Sequence, residues 1–329
     1  MALKKENKTD NQPGFLPELS IVIPLFNEEQ SLKELTQLIT NAVEGFTFEI
    51  IFVDDGSEDS SWNVITGLSD QYDGIKAIRF RRNHGKSDAL QAGFEAATGS
   101  YIITIDADLQ DDPCEIPQLV AILKDGADMV SGWKKVRHDP LTKTIPSRFF
   151  NAVTRLVTGI KLHDFNCGLK AYRKEVTDSI FLYGEMHRYV PLLAKWKGFG
   201  NITEKVVKHH PRKYGKTKFG ISRFLNGFLD LLTLLFVNRY MRRPMHFFGL
   251  FGVLFLIAGS VISSWLAYLK IFMGEPLANR PLLFLGILLI VVGVQFFSIG
   301  FLGEMINKGQ IEHQKPDISE RISIGDEQN

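Results

Sequence analysis

Two stretches near the C-terminus, Pro244–Leu269 and Pro281–Gly303, contain no formally charged residue. No other feature limits the chain's folding options so severely. Soluble core helices seldom sustain such runs, whereas about 20 apolar residues let a helix cross the roughly 30 Å hydrocarbon layer of a bilayer. The short link between them carries Lys270, Glu275 and Arg280, so a helical hairpin is expected, returning the chain to its starting side. Arg239, Arg242 and Arg243 precede the first run, and Lys308 and Lys315 follow the second. This positive bias over the link assigns both termini to the cytoplasm.

Upstream, short β-rich apolar runs alternate with helical patterns, which implies βαβ units and a mainly parallel sheet. Strands are expected near Leu19–Pro24, Phe48–Val53, Ile75–Phe80, Tyr101–Ile105 and Asp128–Ser131. Helices are expected near Glu28–Val43, Ser60–Ser69, Lys86–Ala97 and Glu115–Lys124. Open sheets of this kind bind ligands beyond the carboxyl ends of their strands, so the polar residues just after each strand are the first candidates. Lys+Arg 38 against Asp+Glu 37 gives no global charge for a nucleic-acid partner. Cys114 and Cys167 are too few for a disulfide framework and form no zinc set.

Two further stretches are amphipathic. In Ser147–Val157, residues Phe149, Phe150, Val153, Leu156 and Val157 share one helical side; from Ile221 to Phe236 the apolar spacing is i, i+3, i+4, i+7. Such helices can lie on a membrane surface or cover a sheet. The organisation read from these patterns is a polar lead-in at 1–17, an α/β domain at 18–218, an interfacial helix at 219–243, two spans within 244–306 and a polar tail at 307–329.

The first strand ends in PLFNEE, Pro24 to Glu29, and the second in DDGSEDSS, Asp54 to Ser61. A carboxylate at such a turn can accept hydrogen bonds from a ribose or a base, or simply cap the next helix. The fourth strand ends in DADLQDDP, Asp106 to Pro113. Asp106 and Asp108, one residue apart after a buried strand, can hold a hard divalent cation such as Mg²⁺ or Mn²⁺ that neutralises a departing diphosphate. Gln110 can orient a ligand, while the later acidic pair suits a helix cap with Pro113 at its first turn. Arg212, Lys213, Lys216 and Lys218 lie in a glycine-containing loop, placed either to meet phosphates or to meet anionic lipid.

PLFNE, VDDGS and DADLQ together resemble glycosyltransferase family 2. DFNCGLKAYRKEV (from Asp164), GEMHRYVP, HHPRKYGKTKFG and the late GFLGEM resemble its polyprenyl-phosphate group, which includes dolichyl-phosphate mannose synthases and bactoprenol glucosyltransferases. The resemblance runs from about Leu19 to Met305. It implies a GT-A domain in which Pro24, Phe26, Glu28, Asp54, Asp55, Lys86, Asp106 and Lys134 surround a nucleotide-sugar. It further implies Asp106, Asp108 and Gln110 at a Mg²⁺ or Mn²⁺ ion, and Arg148, Arg173, Arg212 and Lys218 at a lipid phosphate. Asp108, Arg212 and Lys218 join Asp164 as the reacting group's neighbours, Asp164 in a positional role, because an acceptor phosphate is already ionised and needs little base help. Two departures stand out: Lys134 and Lys170 occupy positions where relatives carry Arg.

The expected reaction is inverting transfer of a sugar from a nucleotide-sugar donor, UDP-glucose first, to undecaprenyl phosphate at the bacterial inner membrane. GDP-mannose and a UDP-aminoarabinose derivative are the alternative donors. A processive polysaccharide synthase would show a Gln-x-x-Arg-Trp motif, which is lacking, and a silent scaffold would have no chemical need for Asp106, Asp108 and Asp164 together. The resemblance and the leucine-rich helix also suggest a homo-oligomer, with a tetramer as the working count.

Overall fold

The computed structural model describes residues 16–135, 151–156, 158–214, 244–274, 276 and 281–311, with side chains as far as 305 in the last helix. The chain divides into two compact units, Met1–Phe228 and Leu229–Asn329.

The first unit is built on strands β1 (Leu19–Leu25), β2 (Phe48–Asp54), β3 (Ile75–Arg79), β4 (Tyr101–Thr104), β5 (Met129–Trp133), β6 (Lys170–Arg173) and β7 (Ile202–Val206). They form one sheet in the order β3-β2-β1-β4-β6-β5-β7. All pairings are parallel except those of β6, which runs antiparallel to β4 and β5. Every residue of β1 is buried, as is all of β2 except Phe48, in keeping with apolar strands covered on both faces. Helices α1 (Leu32–Ala42), α2 (Ser61–Ser69), α3 (Lys86–Ala96) and α4 (Ile116–Lys124) make the crossovers. Leu32, Leu35, Ile39, Ile116 and Leu119 close the core over Ile21, Ile23 and Phe52. Two short helices follow β6: α5 (Lys174–Ser179) and α6 (Val190–Trp196). The five expected strands are present within two residues at each end. The sequence reading missed β6 and β7, because KAYR and ITEKV are short, charged and without a clean apolar period.

The second unit is a hairpin of α7 (Leu250–Met273), entered through a π-helical turn at Met245–Gly249, and α8 (Pro281–Ile311). Both are long and apolar enough to cross a membrane, with mean hydropathy 2.1 over Met245–Met273 and 2.7 over Pro281–Met305. The first helix runs past the expected Leu269 to Met273, and Gly274 ends it at φ 68°. Large apolar side chains point outward all along both helices, Val261 at 63% and Phe284 at 74% exposure among them. Glycines line much of their contact face, and Phe248 and Phe255 reach Phe296 across it. A Cβ on Gly252 would stand 2.8 Å from the Phe297 nitrogen, and one on Gly259 would stand 2.7 Å from the Gly286 oxygen. From the other side, a Cβ on Gly293 would stand 2.8 Å from the Leu256 nitrogen. Backbone therefore packs on backbone, as small residues allow between helices that gain little from a hydrophobic drive in lipid.

Of the two expected surface helices, residues 151–156 are helical and Leu156 is exposed, whereas 219–243 lie outside the described residues.

Candidate active site at the carboxyl edge of the sheet

The turns after β1 and β2 are fastened to each other. Asn27, in the left-handed region at φ 55°, donates its backbone N–H to Ser57 Oγ (2.9 Å) and accepts at Oδ1 from the Glu58 N–H (2.8 Å). The Glu28 N–H donates to Ser61 Oγ at 3.0 Å, and the Ser60 N–H donates to Glu29 Oε2 at 2.9 Å. This lacing sets Phe26 and Glu28 at the edge just past the buried Pro24. Asp54 accepts the Ser57 N–H at 2.8 Å and lies 3.4 Å from Arg79 Nε. Asp55 accepts the N–H groups of His84 (2.7 Å) and Gly85 (2.8 Å), and burial pushes its carboxyl above the usual range. Both carboxylates, expected at a nucleotide, are thus turned to the protein, where they shape the wall that presents α3. Gly56 has φ +73°, and a Cβ there would fall 2.6 Å from the Arg82 carbonyl carbon, so no other residue fits that wall.

The acidic turn after β4 is the centre of the site. Lys86, the first residue of α3, donates to Asp106 Oδ1. Burial works to raise the Asp106 carboxyl, but Lys86, with Lys134 and Lys170 nearby, overturns that and holds it below the ordinary value. Asp108 goes the other way: burial and then the neighbouring Asp106 and Asp111 push its carboxyl up, against the opposing charge of Arg212 at 3.4 Å. Arg212 also reaches Glu28 Oε1 at 3.0 Å, so one guanidinium ties the β1 turn to the β4 turn. Gln110 contributes backbone here, donating to Asp108 Oδ1 at 3.2 Å and accepting from the His210 N–H at 2.9 Å. Leu109 holds φ 60°, an uncommon conformation for a branched side chain.

The segment leading into β6 brings the second group of residues to the same edge. Ser131 Oγ donates to the Asp164 carbonyl at 3.3 Å, and Asp164 Oδ1 accepts the Asn166 N–H at 3.1 Å. Thr104 Oγ1 donates to the Gly168 carbonyl at 2.9 Å. A Cβ at Gly168 would lie 2.4 Å from Asp106 Oδ2, so this backbone is pressed against the Asp106 carboxylate. Lys170, fully enclosed, donates to the Cys167 carbonyl; burial holds its amine below the ordinary value despite Asp164 and Asp106 nearby. Burial and Asp111 push the Cys167 thiol up to about 12, which removes it from consideration as a nucleophile.

The glycosyl transferase family 2 profile matches residues 20–181. Over 302 residues the chain is 39% identical to the dodecaprenyl-phosphate galacturonate synthase of Rhizobium johnstonii, covering 90% of this chain and 89% of that protein. The chain belongs to glycosyl transferase family 2. Its end-to-end similarity is to the polyprenyl-phosphate sugar transferases of that family. The undecaprenyl-phosphate 4-deoxy-4-formamido-L-arabinose transferase of Yersinia pestis is 35% identical over 303 residues, 91% of this chain and 90% of its own. Among solved structures, glucosyl-3-phosphoglycerate synthase from Mycobacterium tuberculosis matches 67% of this chain and 79% of its own with TM-score 0.52 and 22% identity. The same protein solved with Mn²⁺ and UDP-glucose matches at TM-score 0.51. These structures establish the GT-A-like fold, and the enzyme is a glycosyltransferase.

The geometry corrects part of the residue assignment. Arg173 ends the antiparallel strand β6 opposite Tyr101, at the far end of the sheet, and donates to the carbonyls of Ala127 (3.0 Å) and Leu123 (3.2 Å). It secures the end of α4 and does not reach the site. Lys134 points inward to Asp111 Oδ1 at 2.7 Å; burial opposes its charge, but Asp111 keeps it firmly protonated. Arg148 and Lys218 lie outside the described residues. His187 bonds Ser87 Oγ through both Nδ1 and its backbone N–H, each at 3.0 Å, which fits a structural role. Sequence reasoning overlooked Asp111 and Lys170 as site members. A lysine inside the glycine-containing Asp164 motif was the available signal.

Among the described residues, no three His, Cys, Asp or Glu side chains converge as a ready ligand cluster. The donor set still suits a hard cation. Asp106 and Asp108 are oxygen donors paired at present with the cationic groups of Lys86 and Arg212, and burial together with the neighbouring Asp106 and Asp111 raises the Asp108 carboxyl, a setting in which a divalent cation is a favourable partner.

Proposed function

We propose that this enzyme transfers a sugar from a nucleoside diphosphate donor to a polyprenyl phosphate at the cytoplasmic face of a bacterial inner membrane. The observation that carries the reading is the junction at Gly168, where the Asp164 segment is packed directly on the Asp106 carboxylate. A nucleotide site at the β1, β2 and β4 turns and an acceptor site at Asp164 then share one edge. An acceptor phosphate oxygen attacks the anomeric carbon, the carbon–oxygen bond to the diphosphate breaks, and configuration inverts in one step. A divalent cation, Mg²⁺ or Mn²⁺, bound by Asp106 and Asp108 would supply positive charge to the departing diphosphate. Arg212 adds a guanidinium beside Asp108, and Lys218 and Arg148 are assigned to phosphates on the family resemblance. Asp164 orients the acceptor, and Lys170 offsets the negative charge gathered around it. Lys134 keeps Asp111 neutralised under the same cluster.

For the donor, the relatives' names favour a linked galacturonate or 4-deoxy-4-formamido-L-arabinose over glucose. The apolar exterior of the α7–α8 hairpin supports its insertion in the bilayer, because an exposed face of this size is unsustainable in water. The test is incubation of detergent-purified protein with undecaprenyl phosphate, Mg²⁺ or Mn²⁺, and separately labelled nucleotide-linked galacturonate, formamidoarabinose, glucose and mannose. Organic-phase label from one donor, absent with Asp108→Ala, is expected. No label from any donor would overturn the reading.

A further inference from the structure

The outer face of α8 carries a polar group that the hairpin itself does not use. Between Pro281 and Gly303 the only polar side chains are Gln295 and Ser298, and both are exposed. At 1.5 Å per residue Gln295 lies about 21 Å along the axis from Pro281 and about 15 Å from Met305, close to the middle of a roughly 30 Å hydrocarbon layer. Among the described residues its amide makes no hydrogen bond. Two N–H donors and a carbonyl acceptor are thus left at a depth where lipid tails offer neither, and a two-carbon stem does not carry them to the headgroups. Ser298 differs, since a helical serine can return its hydroxyl to the carbonyl one turn back.

The residues on either side of Gln295 place it in a seam. Leu288, Val291, Gln295, Ser298 and Leu302 follow one another at alternating steps of three and four residues, the spacing that keeps side chains along one line facing a partner helix, and all are exposed. Leu288, Gln295 and Leu302 each stand two residues after a glycine of the hairpin contact, Gly286, Gly293 and Gly300 respectively. Two residues turn a helix by about 200°. The seam therefore runs down the side of α8 opposite the glycines, and α7 does not cover it. In the bilayer, helices gain little from burying apolar surface, so a lone amide on such a line is the group with most to gain from a neighbour.

We propose that the Leu288–Leu302 seam of α8 docks on the same seam of a second copy of this chain, with the two Gln295 amides hydrogen-bonded to each other inside the bilayer. The inference rests on the membrane insertion proposed above for the hairpin. A second copy fits because it inserts in the same direction and brings an identical amide to the same depth. A two-fold axis along the membrane normal then sets Gln295 against its counterpart, and an amide, being donor and acceptor at once, complements itself under that symmetry. A single polar group in an otherwise apolar seam also fixes register, since sliding one helix by a turn separates the amides and leaves both unpaired. Leu288, Val291 and Leu302 supply the packing on either side, and Ser298 lets the backbones approach one turn from the amide pair.

The test uses the full-length chain in membranes, with the exposed Cys114 replaced by serine and the buried Cys167 kept. Single cysteines at Val291, Gln295, Ser298 and Leu302 should each give a disulfide-linked dimer on mild oxidation. Cysteines at Leu285 and Phe297, exposed residues that lie off the seam, should not. In density-matched detergent, sedimentation equilibrium should give Gln295→Leu a dimer dissociation constant about tenfold above wild type, the scale of one interhelical hydrogen bond. Gln295→Asn, which keeps an amide, should stay within about threefold of wild type. Cross-linking that is equal at all positions, confined to Leu285 and Phe297, or absent would overturn the proposal. So would a cross-linked species of any mass other than twice the chain, or a dimer indifferent to Gln295→Leu. Should the Gln295→Cys protein fail to accumulate, the other seam positions and the Gln295→Leu equilibrium decide the matter. Failure of insertion looks different, since an alkaline carbonate wash would then strip the wild-type protein from the membrane.

Discussion

The sheet unit and the helical hairpin solve opposite packing problems with the same residue. In the sheet unit the apolar side chains of β1, β2 and β4 face inward, and charge collects at one edge. In the hairpin most apolar side chains face outward, and the helices meet where glycines of each lie against the backbone of the other. Glycine serves both, by close approach. At Gly168 it brings a loop onto Asp106; at Gly252, Gly259, Gly286 and Gly293 it brings two helices together. A side chain added at the first should damage chemistry, whereas one added at the second should damage assembly.

The contrast can be broken at either end. Asp108→Ala removes a carboxylate from the charge-bearing edge and should lower turnover by about 10²–10³, the scale of a lost transition-state electrostatic contact, with no loss of melting temperature. An unchanged rate would show that the β4 turn is not where the diphosphate is stabilised. Gly168→Ala comes next: its Cβ would force Asp106 aside, and turnover should fall about tenfold or more with modest destabilisation. Equal loss of stability and rate would mean that the loop is merely structural. Gly259→Leu should destabilise the hairpin by about 1–3 kcal/mol in a detergent melt while leaving KM for the donor unchanged. A shifted donor KM would show that the two units are coupled.

The smallest effect concerns pH. The Asp108 carboxyl is held above its ordinary value, so in the ligand-free protein a proton competes for it as pH falls. Its ionisation costs native-state stability, a penalty absent when the group is protonated at low pH and growing as pH rises past the unfolded value. A divalent cation bound at Asp108, as proposed, would relieve that penalty. Thermal stabilisation by Mn²⁺ alone should therefore grow as pH rises from the carboxylate range toward neutrality, and Asp108→Asn should flatten the trend. Asp106, held below its ordinary value, adds the usual acid sensitivity: its contribution is present above the unfolded value and lost as pH falls through the lower native one.

Much of this was legible in the chain. Buried parallel strands read as apolar runs, and DADLQ marks the end of one of them, so β1, β2, β4 and the acidic turn could be placed from sequence alone. Arg173 could not, because direction is invisible locally: β6 runs antiparallel and carries its last residue away from the site that its first residue adjoins. The pairing of Lys86 with Asp106 and of Arg212 with both Glu28 and Asp108 spans distant segments, and no spacing encodes it. The hairpin's glycines were encoded plainly. Gly286, Gly293 and Gly300 recur every seventh residue, as do Gly252 and Gly259, a period that lays them along one helix face.

The most direct test of the central claim is to identify the nucleotide released in a single reaction with undecaprenyl phosphate and the active donor, alongside the mass of the lipid product. Attack on the anomeric carbon predicts nucleoside diphosphate and a lipid monophosphate sugar in equal amounts. Release of nucleoside monophosphate with a lipid diphosphate sugar would mean that the donor is cut at its diphosphate bond, and would contradict the account.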